Sequence, residues 1–210
     1  MEFLRGKILV FGSLVHGAGR TFLKNRLYEL VKDKMKVLNI SVGEIFREIA
    51  LEKGLTIDEF VKEIEKNPLL DYEIDKKIYN LIKENKDKYD LILIDSNLAP
   101  YYLNFPNVVK ILVVADLDII AKRVFQKRRK GDKEYKSIED AKRDLIERTK
   151  KDRERYQKLA RIIDDPFWKK VYSSYGDPTV FDIVIDDSFE IEIVLKTLIE
   201  KLKRYINNEV

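Results

Sequence analysis

Five short apolar runs, at 8–11, 37–40, 91–94, 110–114 and 183–185, lack the apolar–polar alternation of a strand with one wet face. Unbroken runs of this length are the pattern of parallel strands covered on both sides. Between them apolar residues recur at helical spacing, which predicts helices over 21–34, 43–53, 57–66, 72–85, 117–129, 137–163 and 190–205. Strand and helix alternate, so the expected fold is α/β, a five-stranded parallel sheet with right-handed crossovers. Two helical blocks are longer than a crossover needs. Segments 43–87 and 123–176 therefore read as insertions over the carboxyl ends of the strands, where open α/β sheets bind ligands. The core of this single domain is expected to comprise 1–42, 88–122 and 177–210.

Composition narrows the class. A chain of 210 residues suits one such domain. Apolar residues make up 45%, enough for a sizeable core, and charged residues 37%, above the usual share. The absence of cysteine excludes a disulfide-stapled scaffold. Abundant Lys and Glu beside only Gln126 and Gln157 fit a heat-adapted source. No apolar run approaches the roughly 18 residues of a membrane span, and Lys7 interrupts the N-terminal one, so a cytoplasmic chain with no membrane partner is expected. The net charge of +4 is too small to imply nucleic-acid binding by itself.

The first strand runs into a glycine loop, Gly12 and then Gly17-Ala18-Gly19-Arg20-Thr21, followed by a helix. Glycines let backbone approach a phosphate, and the N–H groups and dipole of the helix start favour its charge. Against the spacing G-x-x-x-x-G-K-[ST], Gly19, Arg20 and Thr21 fit the second half, with Arg in the lysine slot; the first glycine position holds Leu14. His16, the single histidine, lies in this loop, placed to brush a phosphate or to face solvent. The third strand ends in Asp95, either an ordinary strand-ending turn residue or the acid that shares a divalent cation with Thr21.

After strand two comes Ser41-Val-Gly43-Glu-Ile-Phe-Arg47, where a helix start and an arginine fork can meet an anion, or where an N-cap precedes a surface arginine. Arg148, Asp152 and Arg155 lie on one face of a helix. Two forks around a carboxylate suit a nucleotide; the alternative is a solvated row of charge pairs. Arg123, Lys127, Arg128, Arg129, Lys130 and Lys133 form a basic cluster that can close over phosphates, bind RNA backbone or simply solubilise. Trp168 and its neighbouring tyrosines are expected to pack.

Taken together, these residues resemble the cytidylate kinase family, a branch of the P-loop nucleoside monophosphate kinases, over most of the chain. The segment 41–47 resembles the archaeal CMP-binding turn. Gly54-Leu-Thr-Ile-Asp-Glu-Phe60, Pro68 and Asp71-Tyr-Glu-Ile-Asp75 resemble the segment next after that turn in the archaeal form. Phe105-Pro106, Val109–Val113, Ala115-Asp116 and the Arg123 helix resemble the fourth-strand region, and Phe181-Asp182-Ile-Val-Ile-Asp186 the last strand. Arg148-x-x-x-Asp152-x-x-Arg155 matches the family's most specific signature.

The resemblance implies a P-loop kinase fold whose insertions are an NMP-binding region (43–87) and a lid with its helical region (123–176). It implies transfer of the ATP γ-phosphoryl group to CMP or dCMP with Mg²⁺, by a monomer without nucleic-acid partners. On that resemblance Gly12, His16, Gly17, Ala18, Gly19, Arg20 and Thr21 would hold ATP, and Thr21 and Asp95 the metal. Ser41, Arg47, Ser96, Asn97, Arg148, Asp152 and Arg155 would bind the acceptor. Arg123, Arg128 and Arg129 belong to the lid, and Arg20, Arg128, Arg148 and Arg155 would stabilise the transferring phosphoryl group. Asp95-Ser96-Asn97 stands where the family has an acidic residue, glycine and arginine. Such departures leave room for a nucleotide-binding regulator or a kinase for another acceptor.

Overall fold

The computed structural model describes residues 1–126 and 134–208. Five parallel strands, β1 (Lys7–Gly12), β2 (Val37–Ser41), β3 (Leu91–Asp95), β4 (Val108–Val114) and β5 (Ile183–Asp186), form one sheet in the order β2-β3-β1-β4-β5. Nine helices are described. They are α1 (Arg20–Val31), α2 (Val42–Glu52), α3 (Ile57–Lys66), α4 (Leu69–Asn85), α5 (Ala99–Tyr102), α6 (Leu117–Gln126), α7 (Ile138–Ile162), α8 (Pro166–Ser173) and α9 (Ile191–Asn208). No helix among the described residues is long and apolar enough to cross a membrane.

The central runs, in β1, β3 and β4, are buried on both faces because successive side chains point to opposite sides and helices cover each. The edge strands depart from that expectation, β5 alternating with Val184 47% exposed and β2 only half-buried over 37–39, because an edge strand is less fully covered. Ile8, Val10, Ile92 and Ile94 face a layer that includes α2, α3, α4, α7 and α8. Leu9, Phe11, Leu91 and Leu93 face α1 and α9. This two-sided burial fixes the register that matters for the site: Phe11 pairs with Asp95, and Asp95 with Ser41. The last polar residues of β2 and β3 thus stand side by side at the carboxyl edge, next to the glycine loop.

Two helices depart from the sequence expectation. The four residues of α5 are all buried, so no polar face marks them as helical. The stretch 160–174 completes α7 and then forms α8, whose start obeys a local signal: the Asp165 side chain accepts from the backbone N–H groups of Phe167 and Trp168, with Pro166 at the first helical position. This segment is structural. Trp168 is buried against Tyr72, Tyr79 and Tyr102, so α8 braces α4 and α5. The expected helix 117–129 is seen to Gln126; Lys127, Arg128, Arg129, Lys130 and Lys133 lie outside the described residues.

Candidate active site

The loop between β1 and α1 is built on its glycines. Gly17 and Gly19 have φ of +80° and +93°, the left-handed region. A Cβ on Gly19 would lie 1.9 Å from Asp187 Oδ2, and one on Gly17 2.8 Å from Ile120 Cγ2. The loop is therefore pressed between the end of β5 and α6. Gly19 caps α1, whose first residues are Arg20 and Thr21. Asp187 also accepts from Arg123 Nη1 at 2.7 Å, which ties Arg123 to the back of the loop.

Beneath the loop the polar residues converge. Thr21 Oγ1 donates to Asp95 Oδ2 at 2.8 Å. Ser41 Oγ donates to the other oxygen, Oδ1, at 2.7 Å. Lys24 Nζ, buried, reaches Asp95 Oδ1, Ser41 Oγ and the Ile40 carbonyl, each at 2.7 Å. Burial alone would raise the Asp95 carboxyl, but Lys24, with Arg20 and Ser41, holds it below the usual carboxylate value. Burial lowers Lys24 from its ordinary value, and Asp95 opposes that shift.

Above the sheet a second chain of contacts leads away from the loop. Arg20 Nη1 donates to Asn97 Oδ1. Asn97 Nδ2 donates to Asp152 Oδ2 at 3.3 Å, and His16 Nε2 lies 2.7 Å from the same oxygen. Asp152 Oδ1 pairs with Arg155 at 2.8 Å, and Arg155 Nε with Asp71 Oδ2 at 2.5 Å. Burial would raise Asp152, but His16 and then Arg155 keep it low. One polar path thus joins the glycine loop, the end of β3, α7 and α4.

The sequence-expected residues Thr21, Asp95 and Ser41 meet directly, as do Arg20, Asn97, His16, Asp152 and Arg155. Others are engaged elsewhere. Arg148 Nε pairs with Asp144 at 2.7 Å and is 42% exposed. Arg47 Nη1 donates to the Gly43 carbonyl one turn back. The Ser96 hydroxyl oxygen accepts from Leu98 and Ala99 N–H at 3.1 and 3.0 Å, in the turn that leads into α5. Gly12 is packed so closely that a Cβ would meet the ring of Phe181 at 2.6 Å.

Two further residues join these contacts: Lys24, outside every sequence motif, and Asp71, which heads the 71–75 segment without a site role assigned to it there. The signal for each is a charge inside an apolar stripe: Lys24 shares the buried face of α1 with Leu23, Leu27 and Val31, and Asp71 that of α4 with Ile74 and Ile78.

Asp75, one turn after Asp71, is buried and accepts from the Tyr172 hydroxyl at 3.0 Å. Burial and then the charge of Asp71 push its carboxyl well above the usual value. A raised folded-state value contributes stability that is fully present below the unfolded value of about 3.9 and is lost as pH rises towards the folded value. Asp75→Asn keeps an acceptor for Tyr172 without that dependence. The amount by which its thermal midpoint exceeds that of wild type should increase as pH rises above about 4; a pH-independent difference in melting would contradict this.

Among the described residues no group of three His, Cys, Asp or Glu side chains could hold a metal ion. A cation here would have Thr21, Asp95 and a bound phosphate as its surroundings.

The chain is 31% identical over 191 residues to the cytidylate kinase of Methanosarcina barkeri, covering 89% of this chain and 93% of that one. It is 32% identical over 171 residues to the cytidylate kinase of Methanosarcina acetivorans, covering 81% and 82%. With the cytidylate kinase of Methanopyrus kandleri it shares 30% over 190 residues, covering 86% and 84%. No protein-family model matches. Among solved structures, shikimate kinase from Bacteroides thetaiotaomicron superposes with a TM-score of 0.51 at 15% identity, over 94% of this chain and 98% of that one. That likeness is one of fold, a P-loop kinase sheet. With relatives of this identity matched along most of their length, the chain belongs to the cytidylate kinase family.

Proposed function

We propose that the protein transfers the γ-phosphoryl group of ATP to CMP or dCMP. The observation that carries this is the polar path from Arg20 and His16 through Asn97 to Asp152 and Arg155, directly above the Thr21–Asp95 pair. This path, continuous from the glycine loop to α7, supports a reading in which the loop holds the ATP phosphates and the Asp152–Arg155 cluster the acceptor. In this reading Gly17, Ala18 and Gly19 present backbone N–H groups to the ATP phosphates and Arg20 supplies the loop's positive charge. Arg155 and Asp152 orient the acceptor, with Ser41, Arg47 and Arg148 around it. Arg123, which here pairs with Asp187, and Arg128 and Arg129, which lie outside the described residues, would add positive charge for the phosphates.

The residues present fit Mg²⁺. Thr21 gives its proton to an ionised Asp95, which leaves the hydroxyl lone pairs free for a cation. When bound with ATP, the ion would neutralise charge on the β- and γ-phosphates. The acceptor is already a phosphate oxyanion, so the protein's task is positioning and charge stabilisation. His16 and Arg20 must exchange their present partners for phosphate oxygens when nucleotide enters.

Release of ADP from ATP and Mg²⁺, measured with CMP, dCMP, UMP, AMP, GMP and no acceptor, tests the proposal. Stimulation by CMP or dCMP above the others is expected. Equal stimulation by UMP or a purine would move the specificity, and ATP binding without stimulation by any acceptor would point to a regulator.

A further inference from the structure

Lys24 carries the most enclosed positive charge near the glycine loop. It lies three residues after Thr21 on α1 and is 1% exposed. Its Nζ is 2.7 Å from three oxygens, the Ile40 carbonyl, Ser41 Oγ and Asp95 Oδ1. An ammonium has three N–H donors and no acceptor, so all three are matched; a neutral amine would leave one oxygen without a hydrogen. Ser41 in turn gives its own proton to Asp95 Oδ1. One oxygen of Asp95 is thus held by a fixed cation and a hydroxyl, while the other receives Thr21.

A divalent ion placed directly on Asp95 would share that carboxylate with the ammonium. Two cations on one carboxylate, away from bulk water, repel strongly. The same contacts fix the carboxylate's rotation, because turning Oδ1 towards the loop would strand both Lys24 and Ser41.

We propose that Lys24 is a positioning residue that makes metal binding conditional on nucleotide. It serves as the resident cation of Asp95, so a divalent ion is held by Thr21 and by the phosphates it arrives with, and Asp95 acts only through the Thr21 hydroxyl. This rests on the proposed ATP-dependent transfer for the identity of the phosphates alone; the state of the empty loop is set by the geometry.

Titration with Mn²⁺, followed by electron paramagnetic resonance without turnover, separates the two. Nucleotide-free wild type is expected to show no saturable site at millimolar Mn²⁺. Lys24→Met, confirmed as folded by its thermal melt, is expected to gain a saturable site within that concentration range, because the competing charge is gone. Adding Asp95→Asn to Lys24→Met should abolish that site. Saturable binding to the nucleotide-free wild type that Asp95→Asn removes would overturn the proposal. So would equal affinity in folded Lys24→Met and wild type. Should Lys24→Met fail to fold, Lys24→Gln, which keeps a donor without the charge, is held to the same expectation, and the wild-type arm decides independently. A protein-bound Mn²⁺ signal with a non-hydrolysable ATP analogue is a separate arm: its failure would count against the transfer reaction, not against the role of Lys24 in the empty loop.

Discussion

Arg155→Ala should destabilise the fold by about 3–5 kcal/mol, the range for removing one partner of a buried ion pair. Arg155 is 12% exposed and its partner Asp71 only 1%, with Nε 2.5 Å from Oδ2. The other oxygen of Asp71 has no hydrogen-bond partner among the described residues. Burial pushes the Asp71 carboxyl up and Arg155 opposes it, so without the guanidinium Asp71 must either stay charged and unpaired or take up a proton. Asp152 would lose its contact at 2.8 Å as well. Chemical denaturation of the variant, of Asp71→Asn and of the double variant checks this. The double variant should regain much of the lost stability, since it no longer buries a lone carboxylate. It should not regain acceptor binding, which on the proposed function needs the fork itself. A loss under about 1 kcal/mol, as for a surface pair, would contradict the buried-pair account.

The second large effect is expected in catalysis and not in stability. Arg20 is half-buried at the start of α1, and its bond to Asn97 joins two half-buried groups. Arg20→Ala should therefore change stability by less than about 1 kcal/mol. If Arg20 stabilises the transferring phosphoryl group, the same change should lower kcat by about 10²- to 10³-fold, the usual cost of losing one preorganised donor. Arg20→Lys places a point charge where the lysine of the common loop pattern stands, and should recover most of that loss. Steady-state kinetics on the three proteins, with melts as a control, distinguishes this from a structural role. A rise in KM for ATP with kcat unchanged would make Arg20 a binding residue only.

The parts of the fold that the sequence made legible are those where burial is uniform. Strands covered on both faces produce unbroken apolar runs, and the glycines of the loop are required by positive φ and by contacts such as Gly19 against Asp187. The register of β1, β2 and β3 then brings Asp95 to Ser41. Side-chain partnering was less legible, because spacing fixes a helix face but not what that face meets. Arg148, Asp152 and Arg155 share the expected spacing, yet Arg148 turns to Asp144 while the other two pair with each other. His16 left two readings open, and only the tertiary fold sets Asp152, distant in sequence, beside it. Lys24 stands out as a charge within the apolar stripe of α1, but what it meets, the ends of β2 and β3, is set only by the tertiary fold. The short helix α5 was hidden because every side chain that would mark a polar face is buried; α8 does have an exposed face, Lys169, Lys170 and Ser173, but at eight residues it is too short for its period to stand out.

The most direct measurement tracks the phosphoryl group itself. ATP labelled at the γ-phosphate would be incubated with the protein, Mg²⁺ and CMP, and the nucleotides separated. The account predicts that label enters CDP in step with the ADP formed, and that it does not do so when CMP is omitted. Label that remains in ATP, or that appears as inorganic phosphate at the same rate with and without CMP, would contradict it.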